Sequence, residues 1–331
     1  MSTGTGASDL LHAEDSAIDQ IVSGKAPVAA RSPLQLFWRR FRRDKVALAA
    51  GIFILLLIVA AVLADPIRKL VGAPGPNVQS TAALDDFGLP QGPTADHIFG
   101  VDQLGRDVFS RVLAGAQVSL KVAFIGTGLS VILGVTMGMI AGYYRRWVDT
   151  IISRSVDILL AFPVLLLGLG LASACSGKDG CFGGKLQPGL GVVITIIVIA
   201  NSPYVARIIR GQVLSLREKE FVEASKSLGA SNMRIIFREI LPNLVAPIIV
   251  YTTLFIPANI LLEAALSFLG VGVQPPQASW GQMLADATNI FNTAWWYMIA
   301  PGCALLLTVL AFNLVGDGMQ DALNPKGTRT K

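Results

Sequence analysis

The stretch from Val46 to Ala64 runs 19 residues without a charge. At about 1.5 Å of rise per residue, a helix of that length spans roughly 28 Å, close to the ~30 Å hydrocarbon core of a bilayer. Five more apolar runs follow, at 119–142, 150–172, 190–210, 245–269 and 296–315. Lipid offers backbone groups no partner, so each run is expected to cross as a helix. The sequence therefore predicts an all-α membrane protein with six transmembrane helices. Composition agrees: 53% of the 331 residues are hydrophobic and 15% charged, against about 25% charged in soluble domains. Soluble, collagen-like, coiled-coil, disordered and disulfide-scaffold classes are excluded on the same figures.

The charges set the orientation. Of the 27 Lys and Arg residues, seven lie between Lys25 and Lys45, three between Arg145 and Arg154, seven between Arg207 and Arg238, and three at Lys326, Arg329 and Lys331. The other seven fall on the opposite side. The positive-inside bias then places both termini in the cytoplasm. The net charge of +5 reflects arginine-rich cytoplasmic ends, not nucleic-acid binding. Residues 1–30, small and polar, are expected to be disordered. They are no secretory signal, since the first apolar run starts late and is too long for one. Three loops remain outside, and the third exits through Trp295 and Trp296, which suits an interfacial aromatic belt.

Several local patterns bear on function. In PLQLFWRRFRRDK, Leu34, Phe37, Trp38 and Phe41 recur at helical spacing with arginines between them. The segment reads as an amphipathic helix in the inner headgroup layer or as a plain basic flank. In the second run Gly126, Ser130, Gly134, Gly138 and Gly142 recur every fourth residue, which suits tight helix packing or a pore lining. Pro163, Pro203, Pro247 and Pro257 each remove a backbone hydrogen bond, so those sites face protein or a water-filled path. Glu263 stands out as the charge deep in a span. With Pro257 and Asn259 it makes one polar, bent stretch, and Asn259 and Glu263, four apart, share a face. A carboxylate at that depth is costly. Its face is expected to point to a partner helix or to a transport pathway, and support of a neighbouring helix is the plainer reading.

Cys175 and Cys181 share one short outside loop with Gly177 and Gly180 between them. They form an extracellular disulfide or remain two free thiols. Cys303, in the sixth run, is expected to stay reduced. Two histidines, His12 and His97, with three cysteines are too few and too scattered for a metal site. No Ser/His/Asp or Cys/His set can assemble in the spans. A GxxxxGK[ST] phosphate loop is missing, because GGKL at 183–186 lacks the first glycine and the Ser or Thr. The chain is expected to be neither an enzyme nor its own energy source.

The most informative stretch is SLREKEFVEASKSLGASNMRIIFREILPN, residues 215–243. It is too polar to span and too patterned for a linker. Phe221, Val222, Ala224 and Leu228 predict a short amphipathic helix, and Gly229 stops it where positive φ is cheap. Ser231 caps a second helix. Met233, Ile235, Ile236, Ile240 and Leu241 form its apolar side, and Pro242 is expected to end it. Two short helices at a glycine hinge make a projecting knob, and an exposed apolar face there needs a groove on a partner.

This stretch resembles the coupling loop, or EAA motif, of ABC-importer permeases, through Glu223, Ala224, Gly229 and Leu241-Pro242. Ser225 stands where that family usually has Ala, and Glu239 where close relatives often have His. Four other stretches are similar to the dipeptide and oligopeptide permeases, C-type subunit: RRFRRDKVALAAG, FGVDQLGRDVFSRVLAGAQVSL with Gln117 in place of the usual Arg, EAALSFLGVGVQPPQASWGQML, and FNLVGDGMQDALNPK. The resemblance spans residues 35–326.

The resemblance implies a type I importer-like permease fold with cytoplasmic coupling helices. The expected organisation is a disordered N-terminus over 1–30, an interfacial helix and first span over 31–64, and an extracellular segment over 65–118. A core transport domain over 119–317 carries the coupling loop 215–243, and a cytoplasmic tail covers 318–331. Coupling to an ATPase falls on Glu223, Ala224, Ser225, Leu228, Gly229, Ala230, Leu241 and Pro242, while Pro257, Asn259 and Glu263 are pathway or gate candidates. The implied partners are a homologous second permease in a heterodimer, two cytoplasmic ATPases that bind ATP and Mg, an extracellular solute-binding protein and a peptide substrate, all at the inner or plasma membrane. No cofactor is expected in this chain. The alternatives are the same scaffold importing nickel, glutathione or another small solute, and a signalling or structural membrane subunit that does not transport.

Overall fold

The computed structural model describes residues 33–175, 177, 180, 181 and 188–323. The stretch 1–30, the end after Leu323 and the loop positions Lys178 and Lys185 lie outside them. Among the described residues the only extended pairings are two isolated bridges, Leu84 with Pro90 and Val101 with Asp107.

The chain enters through α1 (Pro33–Phe41), a helix in its own right rather than a plain basic flank. Trp38 is exposed, with the Arg42 guanidinium 5.4 Å from its ring centroid. Asp44 then caps α2 (Lys45–Val62), accepting from the Val46 and Ala47 amides at 3.0 Å. A short helix α3 (Ala64–Val71) follows and ends at Gly72 with φ 75°.

The long helix α4 (Val108–Tyr144) has 37 residues and starts eleven residues before the predicted span. A boundary between 118 and 119 would cut it. The single span expected at 150–172 is two helices, α5 (Arg146–Ala161) and α6 (Val164–Ala174), bent by 89°. Pro163 lacks an N–H, and its ring forces Phe162 out of the helical region, to φ −83° and ψ 131°. Pro203, Pro247 and Pro257, by contrast, sit inside unbroken helices.

Next come α7 (Leu190–Arg217), α8 (Glu220–Ser227), α9 (Asn232–Phe268), α10 (Trp280–Thr288) and α11 (Trp295–Leu323). Among the described residues five helices, α2, α4, α7, α9 and α11, are long and apolar enough to cross a membrane, and the α5–α6 pair makes six if taken as one bent span.

The centre of the bundle is the α4–α7 seam. A Cβ on Gly138 would lie 2.6 Å from the Ala206 carbonyl oxygen, and one on Gly134 2.7 Å from that of Ser202. Gly126 and Gly142 are equally close to Ile197 and Val213. The small-residue stripe is therefore a packing face that brings two backbones together, not a pore lining. Helix α2 lies outside this centre and leaves Ile52, Leu55, Leu56 and Val59 exposed.

At the Asp107 end of α4, residues 74–107 and 275–297 fold into a polar cap. Asp107 caps α4 through the Ser110 amide at 2.7 Å and pairs with His97 at 2.9 Å. Asp102, fully buried, holds Arg106 at 2.6 Å, with Arg111 3.5 Å away. Burial pushes the Asp286 carboxyl above its usual range, although the Tyr297 hydroxyl donating to it pulls the other way. Trp280 and Trp296 donate their indole N–H groups to the Val112 and Val101 carbonyls, both at 3.1 Å. Trp296 is thus a strut of the cap, and Trp295 alone faces outward. Between α6 and α7, Cys175 and Cys181 are joined by a disulfide, while Cys303 is a free thiol on α11.

Candidate functional site

At the other end of α4 sits the patterned segment 215–243. Helix α8 closes through two bonds: the Gly229 N–H donates to the Lys226 carbonyl at 2.9 Å, and the Ala230 N–H to that of Ser225 at 3.1 Å. This pairing requires a left-handed residue between them, and Gly229 takes it with φ 77°. Ser231 then caps the next turn by accepting from the Arg234 amide. Residues Ile235–Ile240 form a wider, π-helical turn, in which the Leu241 N–H reaches the Ile236 carbonyl five residues back. That spacing accommodates Pro242, which sits in the first turn of the following stretch. Pro242 therefore does not end the second helix, which runs straight on into α9 as one 37-residue element.

The knob has two unlike faces. Inward, Val222 is 0% exposed and packs with Ile235, Ile236, Ile240 and Leu244 against residues of α4 and α7. Outward, Leu228 is 88% exposed, and Phe221, Met233 and Phe237 are exposed beside it. Glu223, Ala224 and Pro242 are also exposed, while Ser225, Ala230 and Leu241 are half-buried. Polar ties fix the inner face. The Tyr143 hydroxyl donates to Asn232 at 2.8 Å. Arg217 donates to the Tyr143 carbonyl and lies 5.7 Å from the Tyr143 ring centroid. Arg145 meets Glu218 at 2.5 Å. The ends of α4 and α7 and the start of α9 are joined at this one place.

Asn259 and Glu263 are inside the protein. Asn259 donates to the Thr127 hydroxyl of α4 and accepts from Asn201 of α7, each at 2.7 Å. Glu263, 0% exposed, accepts from the Ser119 hydroxyl of α4 and the Ser267 hydroxyl of its own helix, each at 2.7 Å. Ser267 also accepts from the Val273 amide at 3.1 Å, tying down the loop after α9. The face expected to meet a partner helix or a pathway is turned instead onto this chain's own α4, where Ser119 and Thr127 supply hydroxyls to Glu263 and Asn259.

Glu263 is also not the one charged group within the spans. Arg210 binds Asp149 in a two-pronged pair at 2.5 and 2.7 Å, and Arg207 binds Asp157 at 2.5 Å. Both pairs tie α5 to α7. The visible signal is Asp149, Ser153 and Asp157, spaced four apart on one face of α5.

Residues 134–329 match the family described as binding-protein-dependent transport system inner membrane component, and residues 32–74 match the N-terminal TM domain of oligopeptide transport permease C. The chain is 41% identical to the dipeptide transport system permease protein DppC of Alkalihalophilus pseudofirmus, over 90% of this chain and 91% of that one. It is 42% identical to the glutathione transport system permease protein GsiD of Escherichia coli O6:K15:H31, over 91% and 93%. In fold it resembles an inward-facing MetNI methionine ABC transporter chain with a TM-score of 0.54 at 19% identity, over 64% of this chain and 96% of that one.

Proposed function

Since the chain belongs to the family of binding-protein-dependent transport system inner membrane components, and is a permease subunit of an ABC importer, we propose that its cargo is a short peptide and that the α8 knob is the surface an ATPase subunit grips. The knob side is the cytoplasmic side, as the Arg and Lys excess there requires, and the cap is outside. Both termini then lie in the cytoplasm. A homologous second permease completes the pathway as a heterodimer. Two ATPases, holding ATP and Mg, sit under the two knobs, and a solute-binding protein delivers cargo to the cap. This chain binds no cofactor and does no chemistry.

One observation carries the coupling role. Leu228, Phe221, Met233 and Phe237 stay exposed on a knob whose inner face is fixed to α4, α7 and α9. An apolar patch on a rigid, non-lipid surface fits a partner's groove. ATP binding draws the two knobs together and opens the pathway outward, and hydrolysis resets it, by rocking of rigid bodies. Glu223, Ala224, Ser225, Gly229, Ala230, Leu241 and Pro242 shape the grip. Asn259, Glu263 and Pro257 hold the bundle that rocks.

The relatives' names favour peptide cargo, and glutathione, a tripeptide, is the second reading. Gly229→Val in the whole importer tests the coupling. A β-branched residue at φ 77° is strained, so the closing turn of α8 opens and Leu228 shifts. Unchanged assembly with loss of most cargo-stimulated ATP hydrolysis is expected. Normal stimulation and uptake in that variant would sink the proposal. Uptake run in parallel with a dipeptide, glutathione and nickel ranks the cargoes.

A further inference from the structure

At the end of the bundle away from the polar cap, α2 and α11 run antiparallel. A Cβ on Gly318 would collide with Ala47, and one on Gly51 would touch Val315 at 3.8 Å. Beside this seam lies an open groove of about 420 Å³, walled by Val46, Phe53, Leu307, Leu310 and Leu314, with Lys45 at its mouth. Both walls change from apolar to charged at one level. Lys45 directly precedes the charge-free run 46–64, and the apolar run 296–315 ends one residue after Leu314. Phe53 is eight residues beyond Lys45, so the groove reaches roughly 12 Å into the hydrocarbon.

The mouth carries both signs, one on each wall. On the α2 side stand Lys45 and, in the turn before it, Arg42 and Arg43, all exposed. Helix α1 adds exposed Arg39 and Arg40 and rests on α11 through the Phe41 ring beside Gly318. On the α11 side, Leu310, Leu314, Asp317 and Asp321 recur at spacings of four, three and four, which is one helix face. The two aspartates therefore continue the wall that the leucines begin, and both are exposed. Asp44 is half-buried and caps α2 with one oxygen. Among the described residues, Lys45, Arg42, Arg43, Asp317 and Asp321 form no ion pair. Opposite charges that share one mouth without closing on each other suit a dipolar group set between them.

We infer that the groove is a phospholipid site selective for an ethanolamine headgroup. One acyl chain lies along Phe53 and Leu310, the phosphate meets Lys45 and Arg43, and the primary ammonium meets Asp317 and Asp321. Basic pockets between spanning helices suit lipid phosphates, and an ammonium N–H donates to a carboxylate in a charge-assisted bond. A choline nitrogen has no N–H to donate, and a glycerol headgroup has no positive charge. Either one leaves the aspartates without a partner.

The test uses the complete importer, delipidated in detergent and exposed to an equimolar mixture of dioleoyl phosphatidylethanolamine, phosphatidylcholine and phosphatidylglycerol. Native mass spectrometry then reads the lipid retained per complex. The parent should keep the ethanolamine lipid over the choline lipid by roughly fivefold, the ratio that about 1 kcal/mol of an exposed charge contact gives. Asp317→Asn with Asp321→Asn should bring that ratio near one and leave choline-lipid retention unchanged. Lys45→Gln with Arg43→Gln should lower all three lipids, since each carries the phosphate, while Lys45→Arg should keep the parent's pattern. If the parent keeps the glycerol lipid over the ethanolamine lipid, the mouth reads only its cation excess and the inference is overturned. An unchanged ratio in the aspartate variant also overturns it, whether a second permease covers the groove or water alone fills its mouth. Should that variant fail to assemble, the parent is given N-methyl and N,N-dimethyl ethanolamine lipids instead. Retention should fall with each N–H lost, and equal retention overturns the inference.

Discussion

Helix α7 holds α4 and α5 by opposite means. Against α4 it packs through glycines, with backbones so close that one added carbon would collide with a carbonyl 2.6 Å away. Against α5 it is held by two ion pairs with an open cavity of about 510 Å³ beside them. The first joint has no second arrangement within reach, since close-packed surfaces do not deform gradually. The second is made of one exposed pair and one half-buried pair, and an exposed pair is worth about 0–1 kcal/mol and exchanges with water. A protein that must move needs both kinds: seams that keep a body whole and seams that can part. The joint between α4 and α9 at Glu263 belongs with the first kind, since its carboxylate is fully buried and bonded on both oxygens.

The contrast can be broken at its strongest point first. Gly138→Leu should separate α4 from α7 and cost about 3 kcal/mol, the upper end for overpacking; thermal unfolding of the purified complex in detergent reads it, and an unchanged midpoint would show that the seam yields. Glu263→Leu comes next. It removes two bonds between buried groups and should cost about 1–2 kcal/mol, given the modest worth of hydrogen bonds within membranes. Glu263→Gln, which keeps an oxygen in place, should cost less than half as much in the same scan; equal losses would point to the charge rather than the bonds. Asp149→Asn sharpens the other side of the comparison. On the ion-pair seam it should cost below about 1 kcal/mol while assembly stays intact. Smallest of all, Gly211→Ala on the same helix has no atom within 4 Å of the new carbon and should leave the midpoint unchanged or raise it slightly. Were Gly211→Ala as harmful as Gly138→Leu, the α4 seam would have no special standing.

The long apolar runs and the 215–243 knob were legible because they depend on local pattern. Lipid demands uninterrupted helices, and Gly229 with Ser231 announces a helix end and a helix start within three residues. The first turns of α4 were hidden because the stretch from Val108 to Val118 is covered by polar cap residues rather than lipid, so its hydropathy does not mark it as spanning. Pro163 and Pro203 look alike in the string, yet one bends the chain by 89° and the other rests inside an unbroken helix. Burial of Pro203 against neighbouring helices decides that, and burial is a long-range property. The same holds for Glu263. Its depth was plain, but Ser119, 144 residues earlier, was one hydroxyl among many. The α5–α7 pairs were missed because Asp149 sits just before, and Asp157 inside, what reads as one apolar span, and their arginine partners are 61 and 50 residues away.

The 37 residues of α4 form a rod roughly 55 Å long, well beyond the ~30 Å of hydrocarbon it crosses. One tip is pinned in the cap through Asp107, and the other is pinned to the knob through Tyr143. The glycine seam from Gly126 to Gly142 clamps the knob-side half of this bar, and the other half, from Val108 to Gly126, is an arm roughly 27 Å long. Each degree of tilt of that arm about Gly126 moves its cap tip by about half an ångström. Whatever presses on the cap is thereby delivered to the seam and to the knob fixed beyond it, with no intermediate part to carry it.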